Sequence, residues 1–183
     1  PTVRRTPIRP LTAAQVRTLF DGVRGDRLEA LYVVAVASGL RQGELLGLRW
    51  RDVDRERGVI SVTHALQRAG GEYRLGDPKS SESHRVIVLA ATAASALREH
   101  HRRQAEARIK AGPAWNDLDL VFARADGYYR HGSVATHELQ RHLARLGLPR
   151  QRFHDLRHCA ASLLLGRGLE LKDVKDTLGH AQV

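Results

Sequence analysis

Apolar residues recur every three or four positions over most of the chain, which is the spacing of amphipathic helices. In the first such segment, Thr12 precedes the apolar positions and Gln15 follows three residues later, a capping-box pattern that predicts a helix start. Asp26 and Glu29 predict a similar start for the second segment, and Gly39 predicts its end. The segments with helical spacing are LTAAQVRTLFDGV, DRLEALYVVAVASG, RQGELLGL, ATAASALREHHRRQAEARIK, SVATHELQRHLARLG (with Ser133 as its expected cap), FHDLRHCAASLLLGRG and ELKDVKDTLG.

The pattern changes after Trp50, where short β-branched or alternating runs replace the helical spacing. The runs are GVISVTHAL, GEYRLG and HRVIVLA, and they are separated by Gly-Gly and by DPKSSES. Turn residues between such runs predict consecutive strands, here a three-stranded antiparallel meander. The sequence therefore predicts an α+β fold that is mostly α-helical, with helices packed around a small three-stranded antiparallel sheet.

The first ten residues, PTVRRTPIRP, are rich in proline and arginine and show no periodicity. We expect residues 1–10 to form an extended linker or arm. Residues 11–183 are expected to form one domain, because a chain of 183 residues with 42% hydrophobic residues can build a single core.

Charge and cysteine content narrow the classes of partner and compartment. The 30 Lys and Arg residues outnumber the 20 Asp and Glu residues, giving a formal net charge of +10 at pH 7. A domain this basic is typical of proteins that bind a polyanion, usually nucleic acid, although charge for solubility is the plainer alternative. No apolar run is long enough to span a membrane. The single cysteine, Cys159, excludes an intramolecular disulfide and favours a reducing cytoplasm.

The segment RFHDLRHCAASLL places His154, Arg157 and His158 at helical spacing on one face, directly ahead of an apolar run. Two histidines four residues apart can bind zinc, but catalytic zinc needs a third ligand, and none follows. Asp155 stands where zinc proteases of this spacing have Glu. Arg157 also puts a fixed cation beside the pair. A metal, an anion and a packed histidine pair remain alternatives for this segment alone.

Other polar residues have two interpretations when each is taken singly. Arg41 and Glu44, in SGLRQGEL, are three residues apart, so the carboxylate can orient the guanidinium or merely form a surface ion pair. Lys79, in DPKSSES, is either a proton donor, a task for which arginine is unsuited, or a solvated turn residue. His180 follows a glycine, where it either faces a cleft or is simply exposed.

In order along the chain, these groups resemble the catalytic domain of the tyrosine recombinases, the phage-integrase family. SGLRQGEL is similar to the family's first-arginine box, PKSSESHRVIVL to its β-hairpin lysine segment, HDLRH to its His-x-x-Arg box and LGH to its third motif. Each box alone is weak, whereas four in order from Leu11 to the last residue are specific. The resemblance implies an integrase-like catalytic domain that recombines DNA at specific sites through a 3′-phosphotyrosine.

The resemblance also implies how the charged groups contact DNA. Arg41 and Arg157 would bind the non-bridging oxygens of the scissile phosphate and stabilise the pentacoordinate transition state. His180 would donate a further hydrogen bond to the same phosphate. Glu44 would steady the region of the first arginine.

Proton transfer falls to the remaining residues of the motifs. By resemblance, His154 would accept the proton of the attacking phenol or hold it in place. Lys79 would be the general acid that protonates the leaving 5′ oxygen. His158 would support the site by packing.

One position of the family pattern has no counterpart in this sequence. Family members have a nucleophilic tyrosine shortly after the LGH histidine, whereas this sequence ends at Val183. Tyr32 lies in an apolar helix and is expected in the core, and none of the remaining tyrosines stands at that position: Tyr73, Tyr128 and Tyr129. We therefore expect a catalytic domain truncated before its nucleophile, without the family's N-terminal core-binding domain, and inactive in strand cleavage by itself.

Partners and cofactors follow from the same resemblance. It implies double-stranded DNA as the partner, no membrane, and a homotetramer on DNA for the full-length protein. No metal or other cofactor is expected, because the arginines supply the positive charge that a metal brings to other phosphoryl-transfer sites. The alternatives are a DNA-binding module without chemistry and a zinc hydrolase that uses His154 and His158.

Overall fold

The computed structural model describes residues 9–77 and 84–166, within which the chain forms α-helices and short antiparallel strands. The first half contains three helices and four strands: α1 (Ala13–Gly22), α2 (Glu29–Ser38), α3 (Gln42–Leu46), β1 (Val53–Asp54), β2 (Val59–Val62), β3 (Ala65–Ala69) and β4 (Glu72–Gly76). The second half adds one strand and three longer helices: β5 (Arg85–Val88), α4 (Ala91–Ala111), α5 (Gly132–Arg145) and α6 (Asp155–Leu165). The mostly helical α+β fold is confirmed.

The sequence signals are confirmed at the start of α1 and at the end of α2. Thr12 and Gln15 form the capping box at the start of α1, each side chain accepting a hydrogen bond from the backbone of the other. Gly39 ends α2 with a left-handed backbone (φ 60°), a conformation that glycine adopts at little cost. The predicted start of α2 is wrong, because the helix begins at Glu29 itself and its cap is Leu28, which makes no side-chain capping hydrogen bond, so Asp26 lies outside the helix. The predicted cap of α5 is wrong, because the helix begins at Gly132 and its cap is His131, leaving Ser133 inside the first turn.

Helix α2 is the centre of the core. Its apolar residues other than Ala37 are buried, as expected for a helix without a polar face. It packs against α1, α3, α4 and α6. The largest fully buried apolar side chains come from several of these elements: Leu19, Leu31, Tyr32, Leu45, Leu46, Ile60, Leu97, Leu139, Leu143 and Leu156. The position of α2 in the fold is therefore fixed by packing.

The strand pairing differs from the predicted meander. The expected first strand is interrupted after Val62, so that β2 pairs with β5 while β3 forms a separate hairpin with β4. Gly70 and Gly71 make that hairpin turn with positive φ angles of 59° and 87°, which favours a tight two-residue connection. The third strand beside β2 is β1. A three-stranded antiparallel sheet is present, in the order β1-β2-β5.

Among the residues that the structure describes, no helix is both long enough and apolar enough to cross a membrane.

Candidate active site

Two glycines allow α3 to lie directly on the β3 backbone. A Cβ atom on Gly43 would come within 2.8 Å of the carbonyl oxygen of Leu66, and one on Gly47 within 2.6 Å of its amide nitrogen. Because these distances are shorter than side chains tolerate, larger residues would push the helix away. The contact therefore fixes α3, and with it the position of Arg41 at the start of the helix.

Glu44 on α3 is a buried carboxylate that holds Arg41 in two ways. Its Oε2 atom accepts a hydrogen bond of 2.9 Å from the backbone N–H of Arg41, and its Oε1 atom accepts one of 3.0 Å from Arg41 Nη1. The expected pairing of these residues is confirmed. Arg41 keeps 38% of its side chain exposed, whereas that of Glu44 is 2% exposed. Arg41 is thus held by Glu44 at both its backbone and its guanidinium, while part of its side chain remains accessible to solvent.

A second arginine, Arg85 on β5, contacts the same carboxylate. Its Nη2 atom donates a 2.9 Å hydrogen bond to Glu44 Oε2, and its Nη1 atom donates one of 3.4 Å to Oε1. Burial by itself would raise the pKa of Glu44, but the hydrogen bonds and charge of Arg85, followed by those of Arg41, bring it below the ordinary value. Glu44 is therefore ionised at neutral pH.

Arg157 on α6 is buried and faces the same region. Its Nη1 atom donates a hydrogen bond of 2.6 Å to the backbone carbonyl of Gly39, at the end of α2. Burial and then the charge of Arg41 lower the pKa of Arg157 to about 10, while Glu44 acts in the opposite direction. Arg157 is still a cation at neutral pH, and it lies close enough to Arg41 for their charges to repel.

These residues form an arginine cluster, which we define as Arg41, Arg85 and Arg157 around Glu44. Arg41 and Arg85 form ion pairs with Glu44, and Arg157 lies close enough for its charge to interact with those of the others. Several charged side chains gathered in a partly buried region are typical of functional sites. Guanidinium groups bind the oxygens of phosphate in planar, two-point contacts. The cluster is thus chemically suited to a phosphate.

The two histidines of the segment lie beside Arg157 but are exposed. His154 is the cap residue of α6, and its ring is 5.3 Å from that of His158 in an edge-to-face arrangement. Although His154 is exposed, partial desolvation of its ring by the surrounding protein, followed by the charges of His158 and Arg157, lowers its pKa. The imidazole is therefore neutral at neutral pH and able to accept a proton. The expectation that all three side chains share one face is only partly met, because Arg157 is turned into the core.

The zinc alternative gains no third ligand in residues 9–77 and 84–166. Within these ranges, no group of three His, Cys, Asp or Glu side chains is arranged to hold a metal ion. Asp155, the nearest carboxylate in sequence, is buried and accepts a 2.6 Å hydrogen bond from the backbone N–H of Arg152. The carboxylate thus fixes the turn before α6 rather than facing the histidines.

Lys79 and His180, predicted from the other two boxes, lie outside the described residues. The prediction that Tyr32 belongs to the core is confirmed, since it is fully buried. Burial, followed by the charge of Glu138, raises the pKa of its hydroxyl. Tyr73 packs against His131, and the remaining two tyrosines contact each other in a loop: Tyr128 and Tyr129.

Arg85 is the member of the cluster that sequence reasoning missed. Its segment, HRVIV, alternates along β5: Val86 and Val88 are exposed, whereas Ile87 is buried. Residues two apart share a face of a strand, so Arg85 points to the same side as Ile87. That alternation was the available signal for an inward-facing arginine. The sequence contains no comparable signal for the hydrogen bond between Arg157 and the carbonyl of Gly39.

A comparison with protein-family models matches residues 9–183 to the phage integrase family. The chain belongs to this family. The resemblance inferred from the four boxes is thereby confirmed, as is the catalytic-domain fold. A relative named tyrosine recombinase XerC-like, from Caldanaerobacter subterraneus subsp. tengcongensis, is 32% identical over 190 residues, covering 97% of this chain and 49% of the relative. An integrase from Streptomyces ambofaciens is 28% identical, and the match covers 96% of this chain and 47% of the relative.

Solved structures show the same fold. The integrase of the transposon Tn1549, in complex with transposon right-end DNA, superposes with a TM-score of 0.82 at 26% identity, over 98% of this chain and 60% of that chain. The crystal structure of the XerA recombinase gives a TM-score of 0.77 at 22% identity, over 100% of this chain and 58% of that chain. This phage-integrase chain spans about half the length of the curated relatives that it matches.

Proposed function

We propose that this chain is the catalytic domain of an enzyme that recombines double-stranded DNA at specific sites. The observation that carries the proposal is the arginine cluster, in which Arg41 and Arg85 are ion-paired with the buried Glu44 and Arg157 interacts electrostatically with the same group. The guanidinium groups of this cluster are suited to bind the oxygens of a scissile phosphate in planar, two-point contacts. Membership of the phage integrase family gives this phosphate its context, since the family acts on DNA.

Arg41 and Arg157 are proposed to bind the non-bridging oxygens of the scissile phosphate. In the transition state the phosphorus is bonded to five oxygens and its equatorial oxygens carry more charge, so cations placed in advance lower the barrier. Arg41 is suited to this task because Glu44 holds its backbone and its guanidinium in place while part of its side chain stays exposed. Arg157 is suited because its hydrogen bond to Gly39 holds a buried guanidinium in one orientation.

The proposed reaction is a transesterification that needs no external energy source. A tyrosine oxygen attacks phosphorus, forming the bond to the 3′ phosphate as the bond to the 5′ oxygen breaks. His154 accepts the phenolic proton, and its lowered pKa keeps it neutral for that purpose. Lys79 gives a proton to the leaving 5′ oxygen, and His180 donates a hydrogen bond to the phosphate. Attack by a different 5′ hydroxyl then reverses the chemistry and joins new strands.

The remaining assignments complete the proposal. His158 supports His154 through their ring contact. Residues 1–10 serve as the arm and 11–183 as the catalytic domain, with the nucleophilic tyrosine encoded after His180 in the full-length protein. That protein would act as a homotetramer on DNA. The single cysteine, buried at Cys159, fits the reducing cytoplasm in which such DNA is found.

The test is a search for a covalent protein–DNA adduct. The full-length protein is incubated with duplexes of randomised sequence that carry a nick, because loss of the short fragment after cleavage traps the intermediate. We expect an adduct that survives denaturing electrophoresis, is shortened by protease, and links tyrosine to a 3′ phosphate with a free 5′ hydroxyl. DNA binding without any adduct would instead favour a non-catalytic DNA-binding module. Stoichiometric zinc with hydrolysis would favour the zinc alternative.

A further inference from the structure

The backbone of Arg85 is held in the sheet at the start of β5. It lies opposite Val62 in the antiparallel pairing with β2, a strand in the middle of the sheet. The side chain is 10% exposed and points to the buried face that it shares with Ile87. A guanidinium anchored in this way has little freedom to reach a ligand at the surface. Its position suits it to hold another residue of the protein.

The contact between Arg85 and Glu44 involves both oxygens of the carboxylate. Arg85 Nη2 lies 2.9 Å from Oε2, and Nη1 lies 3.4 Å from Oε1. Two-point contacts of this kind fix the plane of the carboxylate as well as its distance, which a single hydrogen bond does not. Because Arg85 belongs to the sheet, the orientation of Glu44 on α3 is set by a different element.

Each oxygen of Glu44 that Arg85 contacts is also bonded to Arg41. Oε2 accepts the backbone N–H of Arg41 at 2.9 Å, and Oε1 accepts its Nη1 atom at 3.0 Å. Rotation of the carboxylate would therefore move or break both links. The direction in which Arg41 extends toward solvent depends on Glu44, and the orientation of Glu44 depends on Arg85.

Charge compensation gives Arg85 a second effect on Arg41. If Arg41 were the sole cation beside Glu44, turning it toward a phosphate would leave a buried carboxylate without a counter-charge, which is costly. Arg85 remains on Glu44 when Arg41 moves, since its own side chain is nearly buried. The carboxylate therefore competes less strongly with the phosphate for the guanidinium of Arg41.

We propose that Arg85 is a positioning residue for strand cleavage, which acts through Glu44 to aim Arg41 at the scissile phosphate and does not itself touch DNA. This inference rests on the proposed function. It differs from a purely structural role, because loss of Arg85 would lower the rate of the chemical step in a protein that still folds and binds DNA.

The experiment uses the full-length protein and the nicked DNA selected by covalent trapping. Adduct formation is measured in single turnover with protein in excess and saturating, so that the rate constant reports the chemical step, and DNA affinity is measured separately. Arg85→Gln is expected to slow adduct formation on the order of 10- to 100-fold, as loss of a supporting residue or a misplacement of about 1 Å typically does. DNA affinity should stay close to that of the wild type.

Two further variants connect the effect to Glu44. Arg85→Lys keeps the charge but cannot hold both oxygens, so its rate should lie between those of Arg85→Gln and the wild type. In a protein that already carries Glu44→Gln, adding Arg85→Gln should slow adduct formation much less than it does in the wild type, because the residue through which Arg85 acts is already altered. If Arg85→Gln does not fold, Arg85→Lys decides, with a lower rate at unchanged affinity expected.

The matched control is Arg130→Gln. Arg130 and Glu138 form an ion pair with side chains 8% and 5% exposed, similar to Arg85 and Glu44. Arg130 lies outside the arginine cluster, so its loss should lower stability without slowing the chemical step. A wild-type rate constant for Arg85→Gln, or for Arg85→Lys if Arg85→Gln does not fold, would overturn the inference. It would also be overturned if the free-energy losses in the rate for Arg85→Gln and Glu44→Gln were additive in the double variant. A wild-type protein that forms no adduct would instead remove the proposed function, and this inference with it.

Discussion

The Nη1 atom of Arg157 donates a hydrogen bond of 2.6 Å to the backbone carbonyl of Gly39, 118 positions away along the chain. The carbonyl groups at the end of a helix carry partial negative charge and lack partners within the helix, so a buried guanidinium is well placed there. The bond joins the end of α2 to α6 and points Arg157 toward Arg41 and Glu44. Two helices that pack closely thereby bring together residues from distant parts of the sequence.

The arginine cluster is expected to reduce the stability of the fold. Burial and the charge of Arg41 lower the pKa of Arg157, which means that the protonated side chain is less favourable in the folded state than in the unfolded one. Arg157→Met removes an unfavourable buried charge together with the hydrogen bond to Gly39, so the two effects oppose each other and the melting temperature should change little while cleavage is lost. Thermal unfolding followed by circular dichroism measures this. A clear fall in melting temperature would mean that Arg157 is held mainly for structure.

The glycine contact under α3 gives a second prediction. Gly43→Ala would place a Cβ 2.8 Å from the Leu66 carbonyl, so α3 and Arg41 must move. We expect a loss of about 1–3 kcal/mol in the free energy of unfolding, the usual cost of overpacking. Adduct formation should slow as well, because the displaced Arg41 no longer meets the phosphate. Denaturant unfolding and single-turnover cleavage measure the two effects.

The control for this change is Gly76→Ala on the neighbouring hairpin. A Cβ there meets nothing closer than the side chain of Gln67, at 3.4 Å, and that side chain can adjust. Stability and cleavage should therefore stay near the wild-type values. Equal losses of stability and cleavage in Gly43→Ala and Gly76→Ala would indicate that the hairpin as a whole is sensitive to substitution. The close contact between α3 and β3 would then have no particular role in placing Arg41.

How far the sequence predicts this fold depends on how local each signal is. The capping box of Thr12, the end of α2 at Gly39 and the pairing of Arg41 with Glu44 are contained in a few consecutive residues, and all three were predicted. The pairing of β2 with β5 is not local, since it bypasses the β3–β4 hairpin that intervenes in sequence. Alternating patterns identify strands but do not specify which strand pairs with which.

The same limit applies to the candidate site. Motif order predicted Arg41, Glu44, His154 and Arg157 as a group, and of these the structure brings Arg157 into electrostatic contact with both Arg41 and Glu44. It did not predict Arg85, whose role depends on the register of β5 and on a carboxylate from a different element. It also did not predict that Arg157 would be buried while His154 and His158 are exposed.

The protonation of His154 gives a pH prediction. Burial, followed by the charges of His158 and Arg157, lowers the pKa of His154 below its ordinary value of 6.5. As the pH falls through 6.5, the unfolded chain takes up this proton before the folded one does, so the folded state loses stability until the lowered pKa is passed. The base stays neutral over the same range. Cleavage should therefore decline only at a pH below 6.5.

Two histidine variants test the assignment of that acid decline in the pH–rate profile. His154→Gln should lower the rate and remove the decline. His158→Gln deletes a charge that lowers the pKa of His154, so the decline should move to slightly higher pH. A decline that persists unchanged in His154→Gln would assign it to another group.

The most direct test of the arginine cluster compares cleavage with binding in Arg41→Ala and Arg157→Ala of the full-length protein. Each variant loses one phosphate contact among many, so duplex affinity should change little. Each also loses a cation aimed at the transition state, and the single-turnover rate of adduct formation should fall at least about 10²- to 10³-fold. Arg24→Ala, which removes an exposed arginine paired with Asp21, should match the wild type in both. Equal losses of binding and cleavage in the two cluster variants would contradict the account.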